Sequence, residues 1–207
     1  MSDPYSVVRQ FEADLCRYTG AFYAVTTTSC TTALLLACVY HNVRDVRIPK
    51  RTYIGVPQSI IHAGGAPVFT DKSWDGWYQL EPYPIWDSAR WFTSGMFDKF
   101  PSLSGDQMVC VSFHWGKTLG LGQGGAILTN DAHAAELLRR MRFDGRAEGV
   151  DIRNDSFPIL GYHAYMMPEL AAQGVVRLAL LPRHNVPIPK GDYPDLSKVA
   201  LFGGRTA

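Results

Sequence analysis

The sequence predicts an α/β fold, and three observations carry that reading. Strand-like and helix-like segments alternate along most of the chain, one β-rich run feeds straight into a capped apolar helix, and a buried-looking apolar run is followed by a glycine-rich turn and another β-like run. The 207 residues suffice for one domain with a sizeable core, or for one large domain and a short tail, whereas two full domains would be cramped.

Taken in order, Asp3-Pro4 supplies a helix start, and Val7, Phe11, Leu15 and Tyr18 recur at helical spacing until Gly20 ends the run. Residues 21–27 are β-rich. Ser29-Cys30-Thr31-Thr32 then caps an apolar helix over 33–40, and such a strand-to-helix junction can hold an anion. Val46–Pro49 reads as a strand, Ile54–Ala63 as a helix closed by Gly64-Gly65, and Pro67–Thr70 as a further strand. Pro84–Asp87, Met108–Phe113 and Ala126–Thr129 add short strands. Asp131 caps a helix over Ala132–Arg142, whose basic last turn suits the helix dipole. Pro168 opens a last helix to Leu181, after which Pro182, Pro187, Pro189 and Pro194 punctuate a weakly periodic tail. No internal repeat is visible.

Composition narrows the function classes. A net charge of +1, from 20 basic and 19 acidic residues spread along the chain, offers no electrostatic footprint for nucleic acid or a membrane surface. The four cysteines, Cys16, Cys30, Cys38 and Cys110, lack the paired spacing of a zinc site or a disulfide framework and read as small buried residues. No metal site is expected. The polar start Met-Ser-Asp-Pro and the absence of a long apolar run lead us to expect no signal peptide or membrane span, and a cytoplasmic protein.

The segment from Val111 to Gly125 carries the strongest chemical signal. Gly116-Lys117-Thr118 resembles the end of a phosphate-binding P-loop, but that motif needs glycine at position 111, where Val111 stands. Gly120, Gly122 and Gly125 match a dinucleotide fingerprint, yet a strand-like run follows them where a helix is required. Two readings remain: a lysine on the turn after a buried strand, with glycines making room for pyridoxal phosphate, or a glycine-rich hairpin bearing a solvated lysine.

Several segments, in order, resemble the DegT/DnrJ/StrS sugar aminotransferases, which use pyridoxal phosphate and have the aspartate aminotransferase (type I) fold. Phe11-Glu-Ala-Asp-Leu-Cys-Arg-Tyr-Thr-Gly20 resembles the opening helix, Thr28-Ser-Cys-Thr-Thr-Ala-Leu34 the Ser-Gly-Thr-x-Ala-Leu turn, and Ile48-Pro-Lys-Arg-Thr-Tyr53 the Pro-x-x-Thr-aromatic segment. Gly65-Ala-Pro-Val-Phe-Thr-Asp71 follows. Trp86-Asp-Ser-Ala-Arg90 stands where the family has Asp-Ala-Ala-Gln, Ser112-Phe-His-Trp-Gly-Lys117 and Gly124-Gly-Ala-Ile-Leu-Thr-Asn130 resemble the lysine motif and its next strand, and Met167-Pro-Glu-Leu-Ala-Ala172 the late helix. The likeness runs from about residue 7 to residue 182.

The resemblance implies a three-layer transferase-like large domain over residues 1–182 with a reduced, mostly parallel sheet, followed by a proline-containing tail over 183–207. It implies that Lys117 forms the internal aldimine with pyridoxal 5′-phosphate and later shuttles a substrate proton, while Asp87 pairs with the pyridine nitrogen and maintains the ring as an electron sink. Tyr53 would stack on the ring, and Cys30, Thr31 and Ser112 would hold the phosphate. Each has a plainer explanation: a turn aspartate for Asp87, core packing for Tyr53, an ordinary N-cap around Thr31. His114 reads as readily as a packed ring as a catalytic one.

Departures from the family pattern matter as much. Only fifteen residues separate Asp71 from Asp87, so a strand and a helix of the family are expected to be missing there. The family's small C-terminal domain is also expected to be missing, its place taken by the short proline-bearing tail. Arg90 replaces a glutamine and would bring a cation to the cofactor oxygen or to a substrate carboxylate. In Gly161-Tyr-His-Ala-Tyr-Met-Met167 the family's arginine is replaced by Met166, which cannot mimic it. The resemblance implies a homodimer acting on an amine, amino-acid or amino-sugar substrate. Transamination is the default, with decarboxylation or other α-carbon chemistry, including on an amino-acid-modified nucleotide, and an inactive cofactor-binding remnant as alternatives.

Overall fold

The structure is a computed structural model describing residues 3–101, 105–189 and 191–202. Helix α1 (Ser6–Thr19) precedes β1 (Tyr23–Thr27), α2 (Cys30–Tyr40), β2 (Asp45–Pro49), α3 (Gly55–His62) and β3 (Ala66–Thr70). Strands β4 (Tyr78–Gln79), β5 (Ile85–Asp87), β6 (Met108–Ser112) and β7 (Gly125–Thr129) follow, then α4 (Ala132–Arg142) and α5 (Pro168–Leu180). The main sheet has the order β1-β7-β6-β5-β4, and β2 and β3 form a separate ladder. Arg47 and Glu81 link the two by a single bridge, with Arg47 N–H donating to Glu81 O at 2.7 Å and Glu81 N–H to Arg47 O at 3.1 Å.

Successive side chains of a strand point to opposite faces, and here both faces are covered. Val25, Cys110 and Ile127 pack with α2, α3 and α4 on one side; Ala24, Val109, Val111, Ala126 and Leu128 join α1 and α5 on the other. The result is the expected three-layer α/β arrangement. The turn glycine that ends α1 behaves as the sequence predicts: Gly20 takes φ +87° and its N–H donates to Cys16 O at 2.9 Å. Helix α5 approaches α1 closely at Gly174, where an added Cβ would fall 2.6 Å from the Phe11 ring.

The expectation of a mostly parallel sheet is corrected. β5–β6 and β2–β3 are parallel, while β1–β7, β6–β7 and β4–β5 are antiparallel. The cause lies in the connections: β4 and β5 are joined by a tight turn through Tyr83, and β6 and β7 by the glycine-rich segment rather than by a crossover helix. Between Asp71 and the start of β5 at Ile85 the only regular element is the two-residue β4.

Two features of the packing were not foreseen. Arg142, in the basic last turn that suits the dipole of α4, is 0% exposed. Its Nη1 donates to Glu12 Oε1, and to Thr26 O and Oγ1 at 2.6 and 2.9 Å, and its Nη2 donates to Glu148 Oε1 at 2.8 Å. The proline-bearing segment after Leu181 lies against the body: Ser94 N–H donates to Arg183 O at 2.9 Å, Asn185 N–H to Thr93 Oγ1 at 3.0 Å and Leu196 N–H to Lys50 O at 2.9 Å. Cys30, Cys38 and Cys110 are buried and Cys16 half-buried, all as free thiols. Among the described residues no helix is long and apolar enough to cross a membrane, and no group of three or more His, Cys, Asp or Glu could hold a metal.

Candidate active site

The site begins at the junction of β1 and α2. Ser29 is extended, at φ −165° and ψ 163°, and its Oγ accepts the Thr32 N–H at 3.0 Å, so it is a true N-cap. The first N–H groups of any α-helix lack intrahelical acceptors and carry the positive end of its dipole, which suits an anion. The end of α2 is held in place by β7. An added Cβ on Gly125 would lie 2.4 Å from Cys30 N and 2.6 Å from Ser29 C, so only glycine lets the strand come this close. Gly125→Ala is expected to push back the first turn of α2, lowering stability by about 1–3 kcal/mol and weakening phosphate affinity. Urea unfolding and a phosphate-ester titration check both effects.

Asp87, at the end of β5, is 6% exposed and is not the surface turn residue that its plainer explanation required. Its Oδ2 accepts the Tyr78 hydroxyl at 2.8 Å and its Oδ1 the Ala89 N–H at 2.9 Å. Because Tyr78 donates to Asp87, Thr52 Oγ1 donates to Tyr78 across 2.6 Å, completing a buried relay. Burial raises the Asp87 pKa, opposed by those two hydrogen bonds and by the charge of Lys117. Burial drives the Lys117 pKa down, helped by the charge of Arg90 and resisted by Asp87.

Every residue singled out from the sequence lines one cavity of about 450 Å³: Cys30, Thr31, Tyr53, Asp87, Arg90, Ser112 and Lys117. Tyr53 is 54% exposed, which excludes core packing as the reason for its ring. His114 is also on the wall and exposed, with its ring centroid 5.5 Å from that of Trp115. Met166 is buried behind Gly124, and His163 is exposed and hydrogen-bonded to Asp144, so neither lines the cavity. Burial pushes the Cys30 thiol well up, which makes it a packing group rather than a nucleophile.

Sequence reasoning missed Tyr78 and Thr52, which hold Asp87, and Trp74 and Tyr193, which form part of the wall. Thr52 is the threonine of the Pro-x-x-Thr-aromatic segment, given no role there, and was within reach. Tyr193 lies in the aperiodic tail and carried no local signal.

A fold with a parallel β5–β6 pair carrying Asp87 and Ser112, a capped helix end, and a half-buried lysine facing a buried aspartate is that of the pyridoxal phosphate-dependent transferases. The chain belongs to the DegT/DnrJ/EryC1/StrS aminotransferase family, whose sequence pattern matches residues 1–85 and 85–186. It is 25% identical over 218 aligned residues to GDP-perosamine synthase of Escherichia coli O157:H7, a match covering 86% of this chain and 59% of that protein. A putative PLP-dependent aminotransferase from Bacillus cereus ATCC 10987 superposes with TM-score 0.69 at 20% identity, covering 85% of this chain and 59% of the other. A DegT DnrJ EryC1 StrS aminotransferase from Brucella abortus superposes with TM-score 0.66 at 21% identity, covering 84% and 58%. The chain thus spans under two thirds of the length of these relatives.

Proposed function

We propose that this chain binds pyridoxal 5′-phosphate in the cavity between α2, β5 and Lys117 and transfers an amino group to or from a sugar-type substrate. One observation carries the reading: a lysine with a depressed pKa and a buried, doubly hydrogen-bonded aspartate face the same cavity. When bound, the cofactor supplies an aldehyde for amine capture and a pyridine ring that accepts electrons from the substrate α carbon.

The chain's own residues then divide the work. Lys117 Nζ would be the amine that holds the cofactor's aldehyde carbon and the group that moves a proton at the substrate. Asp87 would accept the N–H of the pyridine ring, and the Thr52–Tyr78 relay fixes the orientation of its carboxylate. The first N–H groups of α2 and the hydroxyls of Thr31 and Ser112 would hold the phosphate, and Tyr53 would stack on the ring. The donor set fits the group: one amine, one buried carboxylate and one helix N-terminus surround a single cavity. Residues 1–182 would act as the cofactor-binding unit and 183–207 as an accessory tail, and a cytoplasmic homodimer is the working form that the family likeness supports.

The test is covalent capture. Pyridoxal phosphate followed by borohydride is expected to add one phosphopyridoxyl mass to the peptide bearing Lys117; no addition, or equal labelling of the surface lysines Lys50 and Lys72, would overturn the proposal. The pH dependence has a definite sign. A lowered lysine pKa leaves more neutral amine at a given pH, so the capture rate should rise to its plateau below the pH of an ordinary lysine. Arg90→Gln removes a neighbouring cation and should move that midpoint upward.

A further inference from the structure

Arg90 does not present a free cation to the cavity. Its Nε donates to Ile188 O at 3.2 Å, its Nη2 to Pro189 O, and its Nη1 to the Tyr193 hydroxyl at 3.2 Å, while its own carbonyl accepts the Ile188 N–H at 2.8 Å. The guanidinium therefore buckles the tail to the end of β5, three residues beyond Asp87. On the far side, Arg51 Nη1 donates to Tyr193 O at 3.0 Å, and the Tyr193 ring stacks on Trp74 with centroids 6.2 Å apart and planes 22° from parallel. Trp74 is itself held, its indole N–H donating to Arg51 O at 3.0 Å. Tyr193 and Trp74 both line the cavity that contains Lys117 and Asp87.

A ring fixed by a stack, a hydroxyl contact and a main-chain contact behaves as a wall. Displacing it to admit a bulky group would break all three at once, whereas a small group meets no such demand. We propose that Tyr193, held by Arg90 and Trp74, is a specificity-determining residue that limits the size of the group carried on the amine substrate. The inference rests on the cofactor reading above, because it takes the space between Lys117 and Tyr193 as the substrate side of the cofactor.

Reduced conjugates of the cofactor with an amino acid occupy both halves of such a cavity and bind without turnover. Calorimetric titration of the whole protein with phosphopyridoxyl-glycine and phosphopyridoxyl-tryptophan should show the glycine conjugate favoured by at least about tenfold. In Tyr193→Ala the ratio should collapse towards one, and in Tyr193→Phe, which keeps the ring and its stack on Trp74 but loses the Arg90 contact, it should fall only part of the way. If Tyr193→Ala does not fold, Trp74→Ala removes the backing ring and should relax the ratio in the same direction. A wild type without preference, or a ratio unchanged in the ring-removing variant, would overturn the size limit alone. Failure of both conjugates to bind, together with no borohydride capture on Lys117, would overturn the cofactor reading and the size limit with it.

Discussion

Lys117→Ala is expected to abolish covalent attachment of pyridoxal phosphate and to lower amino-group transfer by at least about a thousandfold, the scale of losing a positioned acid–base group. Two losses combine. On the proposed reading Nζ would be both the amine offered to the aldehyde and the proton carrier, and burial and Arg90 bring its pKa down. Added free amine should restore only a little activity, since it lacks the fixed position from which Lys117 works. Borohydride trapping with peptide mass analysis reads the first effect, and single-turnover kinetics reads the second. A variant that still labelled at one site, or that retained a tenth of wild-type turnover, would remove Lys117 from its assigned role.

Arg142→Met is expected to be the most destabilising single change away from the cavity, at about 3–5 kcal/mol. The guanidinium is fully buried between Glu12, Glu148 and the Thr26 carbonyl, joining α4, α1, β1 and the segment after α4. Methionine fills much of the volume but leaves the Glu12 carboxylate buried, with Arg139 Nε at 3.5 Å as its remaining cation. The cost is therefore mainly that of an orphaned charge, not of a hole. A double variant, Glu12→Leu with Arg142→Met, should recover much of the loss because it removes both charges together. Urea denaturation of the two proteins distinguishes these outcomes, and a single-variant cost below about 1 kcal/mol would show that the cluster contributes little.

Much of the fold was readable because periodicity reports burial. The spacing of Val7, Phe11 and Leu15 marked α1, and the apolar run from Met108 marked β6, within a residue or two of their observed bounds. Strand direction was not readable in the same way. A strand buried on both faces is apolar throughout whether its neighbours run parallel or antiparallel, so β6 and β7 carried no sign of their mutual orientation. The burial of Arg142 was not readable for a related reason: a basic last turn suits the helix dipole at any depth, and the burial depends on Glu12 and Glu148 from other segments.

The cavity was legible where chemistry concentrates in short motifs, as with Lys117, Asp87 and the capped start of α2. It was not legible where function is assembled from distant, unpatterned residues. Tyr193 reaches the wall through bonds to Arg51 and Arg90, and neither partner is marked by spacing. Tyr78 likewise reads as an ordinary strand aromatic until Asp87 is seen to accept its hydroxyl.

The close seat of Gly125 against Cys30 and Ser29 has a thermodynamic consequence. The end of α2 that is proposed to hold the anion is not a local motif that an unfolded chain could form alone, because a strand from the far side of the glycine-rich segment forms its back wall. A phosphate ligand therefore has nothing to bind until the β1–β7–β6 sheet is assembled, and its binding free energy is added to the stability of the whole sheet. In such a molecule cofactor concentration and fold lifetime are linked variables: scarcity of the ligand would be felt first as a larger population of unfolded chains.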